Sequence, residues 1–134
     1  MLLVDDNVIN LKILTTYIAR LGCTYHTAVN GLEAVQAFMT ETRPFDLVFM
    51  DVSMPVMNGF DATREIRALE KNRNDKERSE GRERAGTGRC KVIALTGLGS
   101  EESRQEAMGC GMDLVLTKPV RMGELRRLVL KETD

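Results

Sequence analysis

Short apolar runs alternate with segments of helical periodicity along almost the whole chain. Residues 1–4 are apolar and stop at Asp5-Asp6, as a short buried strand would. Over 7–21, Leu14, Tyr17, Ile18 and Leu21 recur at i, i+3, i+4 and i+7 before Gly22, which predicts an amphipathic helix with those residues inward. A second strand is predicted at 25–29, closed by the turn signal Asn30-Gly31. Helical spacing returns over 32–42, with Val35, Phe38 and Met39 apolar, before Pro44. Residues 45–50 read as a third strand ending at Asp51, and 60–70 as a third helix with Ala62, Ile66 and Leu69 inward. A fourth strand at 91–95 ends in Thr96-Gly97, and a helix at 101–108 is closed by Gly109 and Gly111. The fifth strand, 114–116, ends in Thr117-Lys118-Pro119, and a last helix from about 120 to 131 presents Leu125, Leu128 and Val129. Five β/α units in order predict an α/β fold: a doubly wound, five-stranded parallel sheet with right-handed crossovers and helices on both faces.

One stretch breaks the rhythm. Between Leu69 and Val92 only Ala85 and Cys90 are apolar, too little to offset the entropy of ordering the segment. The expectation is one domain over 1–134, with a mobile, mildly basic insertion at 71–90 continuing the third helix as it frays. A solvated insertion without a role is favoured over a docking arm, since surface loops tolerate added length.

Composition narrows the classes. At 134 residues the chain suits one domain, and 43% hydrophobic with 29% charged residues is ordinary for a globular protein. A formal charge of −1 argues against a nucleic-acid binder working by bulk electrostatics. No apolar run approaches membrane-spanning length, and no signal peptide precedes the first strand. Cys23, Cys90 and Cys110 lack metal-site spacing and are odd in number, so free thiols in a reducing, cytoplasmic setting are expected. The start directly at a strand leads to the expectation of a piece of a larger protein.

The chemistry gathers at the predicted strand ends. They deliver Asp5 and Asp6, Asp51, Thr96 and Lys118, and in a doubly wound sheet these ends share one edge. Crowded carboxylates raise each other's pKa unless a cation intervenes, and hard oxygen ligands suit Mg²⁺. Metal, ammonium and hydroxyl would together cradle a phosphoryl group while a carboxylate attacks phosphorus. Each piece alone is commonplace: Asp-Asp is an ordinary acidic loop, and Lys-Pro an ordinary helix start. One such group on each appropriate strand is specific.

With LLVDDN at 2–7, AVNGLEA at 28–34, MDVSMPVMNG at 50–59, ALTG at 94–97, GMD at 111–113 and LTKP at 116–119, the chain resembles the receiver domain of two-component response regulators. VDDNxxN with AxNGxEA looks most like receivers fused to hybrid histidine kinases. The resemblance implies a flavodoxin-like (βα)5 receiver fold. It makes Asp51 the phosphoacceptor, Asp5 and Asp6 the acidic pair holding Mg²⁺, and the Ser53 carbonyl a further ligand. Thr96 becomes the switch hydroxyl, Lys118 the counter-ion, and Pro119 the residue after a cis peptide bond. Ser53 and Leu98 would tune hydrolysis of the acyl phosphate. Receivers of this kind usually carry an aromatic residue where this chain has Val115, so the usual rotamer relay is missing.

The resemblance also implies phosphoryl transfer in trans, from a histidine kinase or a histidine phosphotransfer protein, in a phosphorelay. The sole histidine, His26, reads as structural or semi-exposed. With Leu14, Tyr17, Ile18 and Leu21 inward, Val8, Leu11 and Thr15 fall on the opposite stripe, so Val8 and Leu11 with Val120 and Met122 are a candidate docking patch. Scattered surface apolars are an equally good account. Three rivals stand beside this reading. An aspartyl-nucleophile phosphatase would want a carboxylate at Ser53. A flavodoxin-like cofactor binder would want a phosphate-binding loop in place of Asp-Asp-Asn. The third is a phosphorylation-independent receiver-like interaction module.

Overall fold

A computed structural model describes residues 1–40, 45–81, 89–97 and 99–133. Five strands, β1 (Leu2–Val4), β2 (His26–Ala28), β3 (Leu47–Asp51), β4 (Lys91–Thr96) and β5 (Leu114–Thr117), alternate with α1 (Val8–Arg20), α2 (Gly31–Thr40), α3 (Gly59–Ser79), α4 (Glu101–Cys110) and α5 (Met122–Thr133). The strands form one parallel sheet in the order β2-β1-β3-β4-β5, the doubly wound topology expected from the alternation.

Side chains alternate between the two faces with the period of the strand. Leu2, Val4, Val48, Met50, Val92 and Ala94 point into one core with Phe38 of α2 and Ile66 of α3. Leu3, Leu47, Phe49, Ile93 and Leu95 point into the other, with Leu14 and Ile18 of α1 and Leu125 and Val129 of α5. β3 is therefore apolar up to its last residue, Asp51, and buried at every position, as a central parallel strand must be.

Helix ends follow local chemistry. The Asn7 side chain caps α1 by accepting from the Ile9 and Asn10 amides, and Asn58 caps α3 through the Asp61 amide. Ser100 caps α4, which closes on Gly111 in the left-handed region at φ 106.

The extension expected of the third helix is present: α3 runs on to Ser79 and stops at Glu80, with Gly81 at φ 75. Apolar periodicity ends near Leu69, but the following residues include no Gly or Pro and favour helix on propensity alone. Arg73 also ties the extension to the body of the fold by donating to the Phe38 carbonyl. Met39 does not face the core but lies on the outside of α2. On α1 the outward stripe is Val8, Ile9, Lys12, Ile13 and Thr16, whereas Leu11 and Thr15 are half-buried and Leu11 packs against the core. The predicted helix end at 41–42, Pro44, the part of the insertion at 82–88, and Leu98 lie outside the described residues. No described helix is long and apolar enough to cross a membrane.

Candidate functional site

Strand register brings the predicted groups together. Val4 pairs with Met50, so Asp5 and Asp51 leave adjacent strands at the same level. Asp51 pairs with Leu95, one residue before Thr96, and Thr96 pairs with Thr117, one residue before Lys118. The Lys118 ammonium lies 3.1 Å from Asp51 Oδ1 and 3.2 Å from Asp5 Oδ2. Asp5, Asp51 and Thr96 are buried, at 1%, 3% and 4% exposure, while Asp6 and Ser53 are exposed. The Lys118–Pro119 peptide bond is cis.

Local turns hold the carboxylates. Asp5 Oδ1 accepts from the Asn7 amide at 2.9 Å, and Asp51 Oδ1 from the Ser53 amide at 3.2 Å. Both are short loops closed by a side chain on its own backbone. The loop after β3 is then pinned by two glycines. The Gly59 amide donates to the Val52 carbonyl at 3.2 Å, and a Cβ at Gly59 would overlap the Asp51 carbonyl oxygen. The Gly31 amide donates to the Met57 carbonyl at 3.0 Å, and a Cβ there would come within 2.5 Å of that oxygen. Between them Val56 takes φ 72, a strained conformation for a β-branched residue.

The electrostatics are unbalanced. Burial and the nearby Asp5 charge push the Asp51 carboxyl up to about 6, although Lys118 and the Ser53 amide pull the other way. Burial alone would lower the Lys118 ammonium, but Asp51 and Asp5 outweigh it and hold its pKa above the ordinary lysine value. Asp5, Asp6 and Asp51 each offer an oxygen, and these oxygens lie within 4.8 Å of one another. Asp5 Oδ2 is fully buried and faces the Lys118 ammonium at 3.2 Å, with no other partner among the described residues. Three converging carboxylates offset by a single ammonium fit a hard divalent cation.

A second charged cluster at the opposite end of the sheet was not legible in the sequence. Arg67 of α3 donates to Glu70 at 2.7 Å, to the Cys90 carbonyl at 2.8 Å, and to the Gly111 carbonyl and Asp113, each at 2.9 Å. Glu70 accepts in turn from the Cys90 amide, and Asp113 from the Val92 amide and Arg89. Asp113 of the GMD motif was the only available signal. An arginine on a polar helix reads as surface, yet the Arg67 side chain is 14% exposed. Of the docking candidates, Val8 is 76% exposed, whereas Leu11, Val120 and Met122 are half-buried. Ile9, at 72% exposure beside Val8, was missed because it falls outside the stripe inferred from spacing.

Relatives agree with this architecture. Residues 1–76 match the family model of the response regulator receiver domain. The response regulator SSK1 of Arthrobotrys oligospora is 37% identical over 97% of this chain and 13% of its own length. Histidine kinase 5 of Arabidopsis thaliana is 38% identical over 93% of this chain and 14% of its own length. Among solved structures, the Saccharomyces cerevisiae Ssk1 receiver domain, crystallised with the histidine phosphotransfer protein Ypd1, superposes with a TM-score of 0.80 at 33% identity, over 98% of this chain and 84% of that one. The receiver domain of the sensor histidine kinase PA1611 of Pseudomonas aeruginosa, with magnesium in its active-site cleft, gives 0.75 at 30% identity, over 97% and 93%. The chain belongs to the response regulator receiver domain family. It is a receiver of phosphorelay signalling, and it spans 13% to 19% of the length of the first curated relatives it matches.

Proposed function

We propose that Asp51 accepts a phosphoryl group from a phosphohistidine on another protein, in a Mg²⁺-dependent phosphorelay. The observation that carries this reading is the position of Asp51 at the tip of β3, flanked by Asp5 and Lys118. With its carboxyl at about 6, Asp51 is mostly ionised at neutral pH and available as a nucleophile. One Asp51 oxygen forms the new P–O bond as the P–N bond of the donor breaks. The imidazole nitrogen leaves with the bonding pair and takes up a proton. Lys118 steadies negative charge on the transferring oxygens, and the Thr96 hydroxyl is the candidate to meet the phosphoryl group from β4. Asp5, Asp6, Asp51 and the Ser53 carbonyl would hold the metal, which when bound supplies positive charge to the phosphoryl oxygens.

The donor class is a histidine kinase or a histidine phosphotransfer protein. The complex of the yeast Ssk1 receiver with Ypd1 supports this. His26, exposed on the edge strand and packed edge-on against Phe45, is no candidate donor. Docking on Val8 and Leu11 of α1, with Val120 and Met122 across the site mouth, is consistent with the high exposure of Val8. The free cysteines suit a reducing compartment, here taken as the cytoplasm.

Incubation with Mg²⁺ and acetyl phosphate, followed by intact mass, tests the chemistry. A phosphoryl adduct is expected on the native chain, absent with EDTA and absent in Asp51→Asn. An adduct of equal yield in Asp51→Asn would overturn the assignment.

A further inference from the structure

The loop that leaves Asp51 holds one residue in a conformation its side chain opposes. The Met57 amide donates to the Pro55 carbonyl at 2.8 Å, which closes a three-residue turn with Val56 at its centre. With φ at 72, this is the rare, strained form of the γ-turn. A β-branched residue is poorly suited to positive φ, and such strain persists only where the surroundings over-determine it. Here they do. Gly59 closes the base of the loop on Val52, and Gly31 of α2 donates to the Met57 carbonyl.

The valine side chain contributes to neither core. It is 77% exposed, the highest value of any large apolar residue described, whereas Met54 and Met57 on either side pack into the core beneath α2 and α3. Val29 and Leu32, both exposed, flank Gly31 next to the same loop. Strain and exposure therefore coincide at the tip of the loop that begins at the acceptor. Asp51 itself is only 3% exposed, so a donor histidine reaches it only when the protein carrying it settles on this rim. A strained, exposed rim residue that lowers stability has its use outside the molecule.

We propose that Val56 is a specificity-determining residue for the protein phosphodonor, packing against an apolar surface beside its phosphohistidine. The inference rests on the phosphoacceptor reading of Asp51. It adds a contact on the α2 and α3 side of the strand tips, across from Val8 and Val120. The γ-turn fixes the valine outward before the donor arrives, so little ordering cost remains at contact. A small phosphodonor makes no such contact.

The test compares Val56→Gly, Val56→Asn and Val56→Ile with the native chain. Phosphoryl transfer is followed from histidine-phosphorylated yeast Ypd1 and from acetyl phosphate, and stability by urea denaturation without either. Val56→Gly removes the strain and the side chain together. Its urea midpoint should rise, because the relieved strain exceeds the entropy that glycine adds to the unfolded chain. The ratio of kcat/KM for Ypd1 to that for acetyl phosphate should fall about tenfold, as expected when one aliphatic side chain is no longer buried. The loss should lie in KM. Val56→Asn, which accepts positive φ without the full freedom of glycine, should lose the same factor. Val56→Ile should restore the ratio. A lower urea midpoint in Val56→Gly would assign the valine to the fold, and an unchanged ratio or an equal loss in Val56→Ile would remove the apolar contact. Each of these overturns the proposal, as does labelling of the native chain by acetyl phosphate but not by Ypd1. A native chain labelled by neither donor is the separate failure of the phosphoacceptor reading.

Discussion

Two clusters of buried charge sit at opposite ends of the same sheet, built from the same kinds of side chain and wired in opposite ways. At the strand starts, Arg67 faces Glu70 and Asp113, and the carbonyls of Cys90 and Gly111 take up its remaining donors. At the strand tips, Lys118 is set against Asp5 and Asp51 with Asp6 beside them, so that three carboxylates face one ammonium. The first arrangement joins α3, β4, the end of α4 and β5, and is closed. The second is held open, with negative charge in excess. A buried charge that is fully matched supports the fold, whereas one left unmatched is available to an incoming cation or phosphoryl group.

The contrast extends to pH. Burial raises the Asp113 carboxyl, but Arg89, the Val92 amide and Arg67 outweigh it and hold its pKa below the ordinary 3.8. Asp113 therefore adds stability above that value and loses it as pH falls through the lowered folded pKa. Asp51 behaves in reverse. Raised from 3.8 to about 6, it is least harmful when protonated, and its ionisation costs stability as pH rises from about 4 through 6.

The largest test is to open the closed cluster. Arg67→Met strands two carboxylates and two carbonyls, and should lower stability by about 3–5 kcal/mol in urea denaturation at pH 7. A loss under about 1 kcal/mol would show that the matched cluster is dispensable. The next is to relieve the open one. Without metal at pH 7, Asp51→Asn should be more stable than the native chain by roughly 1–3 kcal/mol, and at pH 4 the gain should nearly disappear. A gain independent of pH would point to packing rather than charge. The smallest effect belongs to Asp113→Asn, which should cost about 1–2 kcal/mol at pH 7 and little below pH 4. An equal cost at both pH values would remove the opposed slopes on which the comparison rests.

Much of this was readable from the chain because register and polarity carry it. Five apolar runs in β/α alternation place Asp5, Asp51, Thr96 and Lys118 on one edge, whatever the details of packing. What escaped has a physical reason in each case. How far α3 extends escaped because the extension has no apolar stripe, so periodicity is silent where propensity decides. Arg67 is buried only because the segments around Cys90 and Gly111 fold over it, a tertiary fact. Leu11 is half-buried and Ile9 exposed because the helix turns its face by a fraction of a residue, finer than spacing alone can resolve. Val56 at φ 72 opposes the preference of its own side chain.

The glycine contacts around the loop after β3 bear on what counts as a transferable part. Gly59 lets α3 start against the Asp51 carbonyl, and Gly31 lets α2 start against Met57 in that same loop. The acceptor loop is therefore not a self-contained cassette. Grafted into another sheet without a glycine in the place of Gly31, residues 51–59 would meet a methyl group where they need empty space. The smallest portable unit reaches back along β3 and α2 to Gly31, the first residue of α2.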